Sequence, residues 1–499
     1  MKKRRIAALG LAVMTSLALM SGCGRSENTS GNETVTLKWI MPGAGEQRDS
    51  QLVWKEFNEK LKEYLPNVKV DFSVYTLSEY KQQFMLKQSV GDVMDIVNVY
   101  GLNFADELRK GSFIDIAGYV DEYGKDMKEA IPEFVWNYMR HEGKLYGVPT
   151  YQMLSVDGGL YAPKALADKY LDAEALNSAL RGQNTLGTEF LDVIEDYLKK
   201  AKEGGELGLG FNCYTNYMKG FETILDYYVI RKDDEKCRVE LVFETPEMKE
   251  YFERKAKWYK EGYIRQDSLS ANDDMVGKPS GYILWYSTGG WKAAETASQK
   301  YGMDINYYPY DPDNTYYIPM SNTAMGTSIS ATSKHSKEAV QLLNLINSPK
   351  GKDLYNMLVY GIEGNHYTKT GNDTIKTEYS GQVTSNDRYG MYKWIVGNTE
   401  NAYDTQSDLE GYKEWAFNEV NQSTNFSRLI GFMADPSSIS TKLAQVLAVK
   451  GEYFNSLHSG AMEEVDVVYA EFMDKLQRAG NEEIKVELQK QVDAFLATK

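Results

Sequence analysis

The sequence predicts an α/β protein of two lobes, with chain crossings at a hinge and a helical C-terminal extension. Three observations favour this fold class. The chain starts with a strand–helix–strand pattern, two internal stretches rich in turn residues are typical of crossings between lobes, and the last segment carries apolar stripes at helical spacing.

The strand–helix–strand pattern occupies residues 35–74. Residues 35–41 read as a strand, and residues 68–74 alternate apolar and polar side chains strictly. Between them apolar residues recur at helical spacing, and Asp49 or Ser50 is placed to cap the helix. Such a unit pairs its strands in parallel through a right-handed crossover, which places the chain in the α/β class.

A third strand is predicted at residues 95–99, DIVNV, which is followed by Tyr100 and Gly101. In open α/β sheets, ligands lie at the carboxyl ends of the strands. The turns after Met41 and Val99 are therefore candidate positions for a binding pocket.

Two stretches are predicted to cross between the lobes, residues 141–153 (HEGKLYGVPTYQM) and residues 321–330. A strand predicted at 280–286 is expected to return to the first lobe. The expected division is a signal peptide at 1–22, a lipidated flexible tether at 23–33, lobe 1 at 34–149, lobe 2 at 150–274, lobe 1 again at 275–325, and lobe 2 again at 326–499 with a helical C-terminal region at 425–499.

Two apolar stripes predict the C-terminal helices. Gly480 separates them, as expected for a glycine that ends a helix. The stripes are Val465, Val468, Phe472 and Leu476, then Ile484, Leu488, Val492 and Phe495.

The N-terminus has the pattern of a secretory signal. Basic residues 2–5 precede an uncharged run at 6–20, which is shorter than the about 20 apolar residues of a membrane span. Residues 20–23, Met-Ser-Gly-Cys, resemble the lipobox of bacterial lipoproteins, with Met20 in place of the commoner Leu. We therefore expect cleavage before Cys23 and a lipid on that cysteine that holds the protein outside the cytoplasmic membrane.

The composition is that of an acidic globular protein. The formal net charge is −15 at pH 7, which argues against nucleic acid and against a polybasic grip on a membrane. The four histidines are scattered without the paired spacing of metal ligands, so we expect no metal and no cofactor. Beside Cys23 there are Cys213 and Cys237, and the sequence leaves open whether they form a disulfide.

Several segments, in order along the chain, resemble extracellular solute-binding proteins of family 1, the receptor subunits of ABC importers. Among them are LRKGSFIDIAGYVDEYG (108–124), GKLYGVPT (143–150) and ATSKHSKEAVQLLNLINS (331–348). The segments YGIEGNHY (360–367) and GFMADPSSISTKLAQV (431–446) resemble a Firmicute subgroup of LplA-like lipoproteins with a distinctive C-terminal domain.

The resemblance implies a type II periplasmic-binding-protein fold, whose two lobes close over a solute and deliver it to membrane permeases. We expect a monomer without enzymatic activity that binds a carbohydrate or oligosaccharide, with the permease subunits and, through its lipid, the membrane as partners. Two alternatives stay open. One is a secreted glycoside hydrolase, which needs two carboxyl groups about 5–10 Å apart, and the other is a receptor of the same fold for a peptide or a lipid precursor.

Sugar binding needs flat apolar surfaces, and carboxylates or amides for the hydroxyl groups. The chain has 37 Tyr against 17 Phe, and 8 Trp, which favours amphipathic aromatic residues at a wet cleft. Trp285 also fits a core position in its strand, Asp49 also fits a helix cap, and Trp394 is chosen from the resemblance alone. The candidate ligand-binding residues are Glu46, Gln47, Asp49, Tyr100, Tyr151, Trp285, Trp291, Asn322, Glu363 and Trp394.

Overall fold

A computed structural model describes residues 34–156, 158–181, 188–206, 208, 210–212, 220–270, 282–310, 318–319, 325–422 and 427–497. The predicted lipidation site Cys23, the candidate Asn322 and the cysteine Cys213 lie outside these residues. No helix in the described ranges combines the length and the apolar character that crossing a membrane requires.

Helices and strands are mixed along the described residues. In chain order the strands are β1 (Val35–Gly43), β2 (Val68–Thr76), β3 (Ile96–Asn98), β4 (Arg140–His141), β5 (Lys144–Leu145), β6 (Val148–Pro149), β7 (Ser155–Val156), β8 (Gly158–Pro163), β9 (Gly210–Asn212), β10 (Phe221–Leu225), β11 (Tyr228–Arg231), β12 (Val239–Leu241), β13 (Tyr282–Thr288), β14 (Ile305–Pro309), β15 (Ile318–Pro319), β16 (Gly326–Ile329), β17 (Tyr367–Lys369), β18 (Thr374–Thr377) and β19 (Asp404–Thr405).

The α-helices are α1 (Ser50–Leu61), α2 (Tyr80–Ser89), α3 (Phe104–Arg109), α4 (Ala117–Tyr123), α5 (Lys125–Ala130), α6 (Lys164–Tyr170), α7 (Ala173–Leu180), α8 (Thr188–Glu203), α9 (Pro246–Lys260), α10 (Ala293–Tyr301), α11 (Ser336–Ile346), α12 (Lys352–Tyr360), α13 (Lys393–Val396), α14 (Ser440–Ser459), α15 (Val465–Arg478) and α16 (Asn481–Leu496). A π-helix spans Glu414–Val420.

The first lobe is built on a five-stranded sheet with the order β2-β1-β3-β16-β6. Strands β1, β2 and β3 run parallel, so the predicted strand–helix–strand unit is confirmed, and β16 runs antiparallel to β3 and β6. The sheet and its helices bury a continuous apolar core, whose removal from water stabilises the lobe. That core includes Trp39, Val53, Phe57, Ile96 and Leu343.

The second lobe contains a four-stranded sheet, β14-β8-β13-β9, and a three-stranded sheet, β10-β11-β12. Helices α8 and α9 bury Phe190, Tyr251 and Trp258 in a second core. Cys237 lies in this core as a free thiol, and burial raises its pKa.

The division of the chain between the lobes differs from the sequence expectation in two places. The sequence assigns 275–325 to lobe 1, whereas β13 and β14 pair with β8 of the second lobe. It assigns all of 326–499 to lobe 2, whereas β16, α11 and α12 belong to the first lobe. An apolar run predicts a buried strand, but the sheet it joins depends on pairing partners that are distant in the sequence.

The lobes are joined by strands that run side by side. Strands β7 and β15 pair antiparallel, with Val156 opposite Ile318. The π-helix Glu414–Val420 ends beside Asn421, whose buried side chain accepts a hydrogen bond from the Leu154 backbone N–H (2.9 Å) and donates one to the Gln152 carbonyl (2.9 Å). The side chain of Asn421 therefore holds the end of the π-helix against the first crossing.

Helices α14, α15 and α16 form part of the second lobe, so the predicted helical C-terminal extension is present. Asn481 is fully buried; it accepts a hydrogen bond from the Tyr228 hydroxyl (3.1 Å) and donates one to Glu244 Oε1 (2.6 Å). The apolar stripes pack in the same core as Phe243 and Tyr251, and their buried members are Phe472, Leu476, Ile484, Leu488 and Val492.

Candidate functional site between the lobes

The candidate site is the edge of the first-lobe sheet at which β1, β3 and β6 end and β16 begins. The register places Asn98 opposite Thr327 and Pro149 opposite Gly326. From Pro149 the chain leaves this edge for the second lobe. Because ligands in open α/β sheets bind beyond the carboxyl ends of the strands, this edge is where a binding site is expected.

Asn98 fixes the chain at this edge. Its side chain is 1% exposed, donates a hydrogen bond to the Ile395 carbonyl (3.0 Å), and accepts one from the Tyr100 backbone N–H (3.0 Å). The Thr150 hydroxyl donates to the Trp394 carbonyl (3.2 Å). These bonds hold Tyr100 and Trp394 together beyond the end of β3.

Three aromatic side chains form what we call the first-lobe platform, Tyr100, Tyr392 and Trp394. The ring of Tyr100 meets that of Trp394 edge-on, with centroids 4.6 Å apart and planes at 70°. The rings of Tyr392 and Trp394 are nearly parallel, at 8° and 5.8 Å. All three side chains are partly exposed. Such a surface can pack against the C–H face of a sugar ring while the tyrosine hydroxyls bind sugar hydroxyls.

Trp291 lies at the corresponding edge of the second lobe, shortly after β13, and contacts the first lobe. Its indole N–H donates to the Glu410 carbonyl (2.8 Å), and its ring lies 5.7 Å from that of Trp415 with the planes at 32°. We call residues 410–415 the notch. The sequence predicts Trp291 as a ligand-binding candidate, and the contacts it makes here are with protein.

Tyr151 is buried at the first crossing. Its ring packs edge-on against Phe417, with centroids 5.0 Å apart, and its carbonyl accepts a hydrogen bond from the Thr399 backbone N–H (2.8 Å). Burial raises the pKa of the Tyr151 phenol. In this lobe arrangement Tyr151 packs the hinge rather than offering a face to solvent.

The loop after β1 uses its polar residues within the protein. Gln47 is buried; its amide donates to the Thr384 carbonyl (2.8 Å) and accepts from the Gly390 backbone N–H (2.9 Å). Asp49 precedes α1, but its side chain makes no capping hydrogen bond and instead pairs with Arg388 (2.8 Å). Both side chains therefore hold the loop against residues 384–390.

The other candidates lie apart from the platform. Trp285 is buried, stacked 6.0 Å from Tyr161 with the planes at 16°, which is the core position that its strand also allows. Glu363 is exposed and pairs with Lys369 (3.3 Å). Glu46 is exposed and accepts a hydrogen bond from Gln51 (2.7 Å).

The structure thus brings Tyr100 and Trp394 together and adds three aromatic residues that the sequence did not indicate, Tyr392, Tyr412 and Trp415. Tyr392 is two residues before the candidate Trp394, so the sequence already showed that an aromatic residue lies close to it. Tyr412 and Trp415, whose ring centroids lie 6.1 Å apart, had no such signal, because the Trp291 ring that Trp415 contacts is more than 100 residues earlier in the chain. Within the described residues, no group of three or more His, Cys, Asp or Glu side chains is arranged to hold a metal ion.

One protein-family model matches the chain, and the match covers the C-terminal helices. Residues 428–497 match a family described as a domain of unknown function, DUF3502. No curated protein sequence matches the chain.

Solved structures are similar over nearly the whole chain. The N-glycan transport solute binding protein NgtS of Streptococcus pneumoniae is 20% identical, with 93% of this chain and 99% of that chain covered and a TM-score of 0.71. An extracellular solute-binding protein of Bifidobacterium longum subsp. infantis is 15% identical, with 94% and 100% covered and a TM-score of 0.60. For NgtS in complex with Man1GlcNAc and with Man5GlcNAc, the TM-scores are 0.60 and 0.57 at the same coverage.

By TM-score the chain is more similar to the first NgtS structure than to the two glycan complexes. At these identities the comparison establishes the architecture and confirms the predicted fold class. The chain has the two-lobe α/β fold of solute-binding proteins.

Proposed function

We propose that this protein is an extracytoplasmic solute-binding protein that captures a carbohydrate, most simply an oligosaccharide, between its lobes and delivers it to the permease of an ABC importer. The observation that carries the proposal is the first-lobe platform. Its three aromatic side chains are partly exposed and are fixed at the sheet edge that faces the second lobe.

The chemistry of the platform favours a sugar over the other ligand classes. Nearly parallel rings at Tyr392 and Trp394 offer flat apolar surface in one orientation, which matches the stacked C–H faces of a saccharide. NgtS, which shares the fold, was crystallised with Man1GlcNAc and Man5GlcNAc. These observations support an oligosaccharide ahead of a peptide or a lipid precursor.

The remaining parts of the proposal come from the sequence. The lipobox-like residues 20–23 support a lipid anchor at Cys23 on the outer face of the membrane. The segments at 108–124 and 431–446 support membership of family 1 and of its LplA-like subgroup. In this view the protein acts as a monomer and binds its solute without chemical change.

A saccharide panel tests the proposal. The soluble chain from residue 24 is mixed with Man1GlcNAc, Man5GlcNAc, milk oligosaccharides and fructo-oligosaccharides, and with a peptide panel, while melting temperature and tryptophan fluorescence are recorded. A bound solute stabilises the folded protein by mass action, by about 2.7 kcal/mol when the free solute is at a hundred times its Kd. The melting temperature rises as a result. If peptides shift the melting temperature and saccharides do not, the ligand class is wrong.

Variants of the platform locate the site. We expect Tyr100→Ala and Trp394→Ala each to abolish or strongly weaken the shift produced by the active saccharide, because each removes a stacking face. Tyr119→Ala is the matched control, since Tyr119 is a 37% exposed aromatic on α4 of the same lobe. Equal effects in all three variants would remove the platform as the site, and turnover of an aryl glycoside would favour a hydrolase instead.

A further inference from the structure

The contact between Trp291 and the notch joins the two lobes in a specific way. Trp291 belongs to the second lobe, whereas the residues that follow the notch, Ala416 and Phe417, lie in the first-lobe core. The indole N–H of Trp291 is satisfied by the Glu410 carbonyl at 2.8 Å, and its ring packs against Trp415. The indole of Trp291, at the second-lobe edge, is therefore engaged by protein.

The backbone has a positive φ angle on both sides of this contact. Gly411 has φ +83°, and a Cβ there would lie 3.0 Å from Cζ2 of Trp291, so only glycine lets the ring approach this closely. Lys292, next to Trp291, has φ +51°, in the left-handed region that non-glycine residues rarely adopt. Because Gly411 and Lys292 both have uncommon backbone conformations, the contact is more simply explained as a specific feature of the fold than as an incidental one.

The notch is also connected to the hinge. Trp415 lies in the π-helix Glu414–Val420, a rare conformation that often marks functional sites. The same π-helix carries Phe417, which packs on Tyr151, and it ends beside Asn421, which bonds to Gln152 and Leu154 of the first crossing. One short segment thus contacts both the opposite lobe and the hinge.

We propose that Trp291 in the notch is a latch that stabilises the lobe arrangement described here, and that any other arrangement of the lobes requires Trp291 to leave the notch. That the latch thereby alters solute binding rests on the proposed function. A contact between lobes stabilises only the arrangement in which its residues meet, so it opposes any other arrangement by its own free energy. In this arrangement the contacts of Trp291 are with protein.

Indole N–H signals in the NMR spectrum test the latch without any ligand. The Trp291 signal is identified by its loss in Trp291→Phe, and in the wild type we expect it to exchange slowly with solvent. Gly411→Ala should speed that exchange, since the added methyl group would lie 3.0 Å from the ring and alanine is strained at φ +83°. Gly381→Ala is the matched control, because Gly381 has φ +79° with nothing within 4 Å of the added methyl group. A fast-exchanging Trp291 signal in the wild type, or equal behaviour of the two glycine variants, overturns the latch.

Small-angle scattering and binding then test its consequence. We expect Gly411→Ala to change the distribution of lobe separations and Gly381→Ala to match the wild type. With Man5GlcNAc, or the panel saccharide that binds, we expect the affinity of Gly411→Ala to differ from that of the wild type and the affinity of Gly381→Ala to match it, because the latch changes how much of the protein is in the arrangement that binds. If both glycine variants bind the saccharide with wild-type affinity, the latch inference fails and the proposed function stands. If none binds, the proposed function fails, and the ligand-free measurements still decide whether the latch exists.

Discussion

Asp49 is the clearest case of a side chain held in one ionisation state by its partners. Its Oδ2 accepts a hydrogen bond from Arg388 Nε (2.8 Å) and lies 3.2 Å from His366 Nε2. The other ring nitrogen of His366 accepts the Ile362 backbone N–H (3.0 Å), so Nε2 carries the proton toward Asp49. Burial alone would raise the pKa of Asp49, but the hydrogen bonds from His366 and Arg388 lower it below its ordinary value.

We therefore expect Asp49→Asn to reduce the free energy of unfolding by about 1–3 kcal/mol at pH 7, the range for hydrogen bonds to charged groups. The folded-state pKa of Asp49 lies below its unfolded value of about 4, so its contribution is complete above pH 4 and disappears as the pH falls through the folded-state pKa. Urea unfolding at pH 7 and pH 3 measures the difference, with the exposed Glu46→Gln as control. A wild-type advantage that is constant with pH would contradict this account.

The two tryptophans around β13 show where prediction from sequence stops at this scale. Trp285 and Trp291 flank the same turn and are equally apolar, so the sequence indicates both as candidates. The structure places Trp285 in a small core with Tyr161 and Ala297, and Trp291 at the lobe boundary. The partners of Asp49 are equally hidden, because His366 and Arg388 lie 317 and 339 residues away.

At the scale of elements, α14, α15 and α16 complete the second lobe. They pack on α9 and on the sheet that contains β12, and they share one core with those elements. The DUF3502 match at 428–497 thus covers a segment whose buried face belongs to the lobe. Packing is a sufficient physical reason for its apolar stripes.

Two residues on α16 test this integration. Leu488 is 0% exposed and Val486 is 68% exposed, although they are two residues apart on the same helix. We expect Leu488→Ala to lower the free energy of unfolding by about 2–5 kcal/mol, as for buried Leu in other cores, and Val486→Ala to change it by less than about 0.5 kcal/mol. Chemical unfolding followed by second-lobe tryptophan fluorescence measures both. Similar small effects would show that the C-terminal helices are dispensable for the lobe.

Strand β13 marks the limit of prediction for elements. Its apolar run predicts a buried strand correctly, and the stripes of α15 and α16 predict helices correctly, because these signals are local. Membership of a sheet is not local. β13 lies between β8 and β9, which are more than 60 residues earlier, and nothing within its own residues specifies that pairing.

For the whole molecule, two separate cores and a small number of crossings define how it can move. Each lobe has its own buried cluster, and β7 and β15 join them by a short antiparallel pair. Two stiff bodies joined by a narrow hinge interconvert between arrangements, and a solute that contacts both bodies favours the closed one. The proposed latch stabilises one of these arrangements, and the platform lies at the first-lobe edge where a solute would contact that lobe.

The anchor proposed at Cys23 acts on the whole molecule without entering either lobe. A lipid there, followed by the polar residues 24–33, would keep the receptor at high local concentration near its permease. We expect Cys23→Ala to move the protein from the membrane fraction to the medium, and Ser26→Ala, in the same polar stretch, to leave it at the membrane. Fractionation followed by immunodetection measures this. The released variant should bind the active saccharide with unchanged affinity, because the platform is more than 70 residues along the chain in a folded lobe. Weakened binding would show that the N-terminal segment takes part in solute capture.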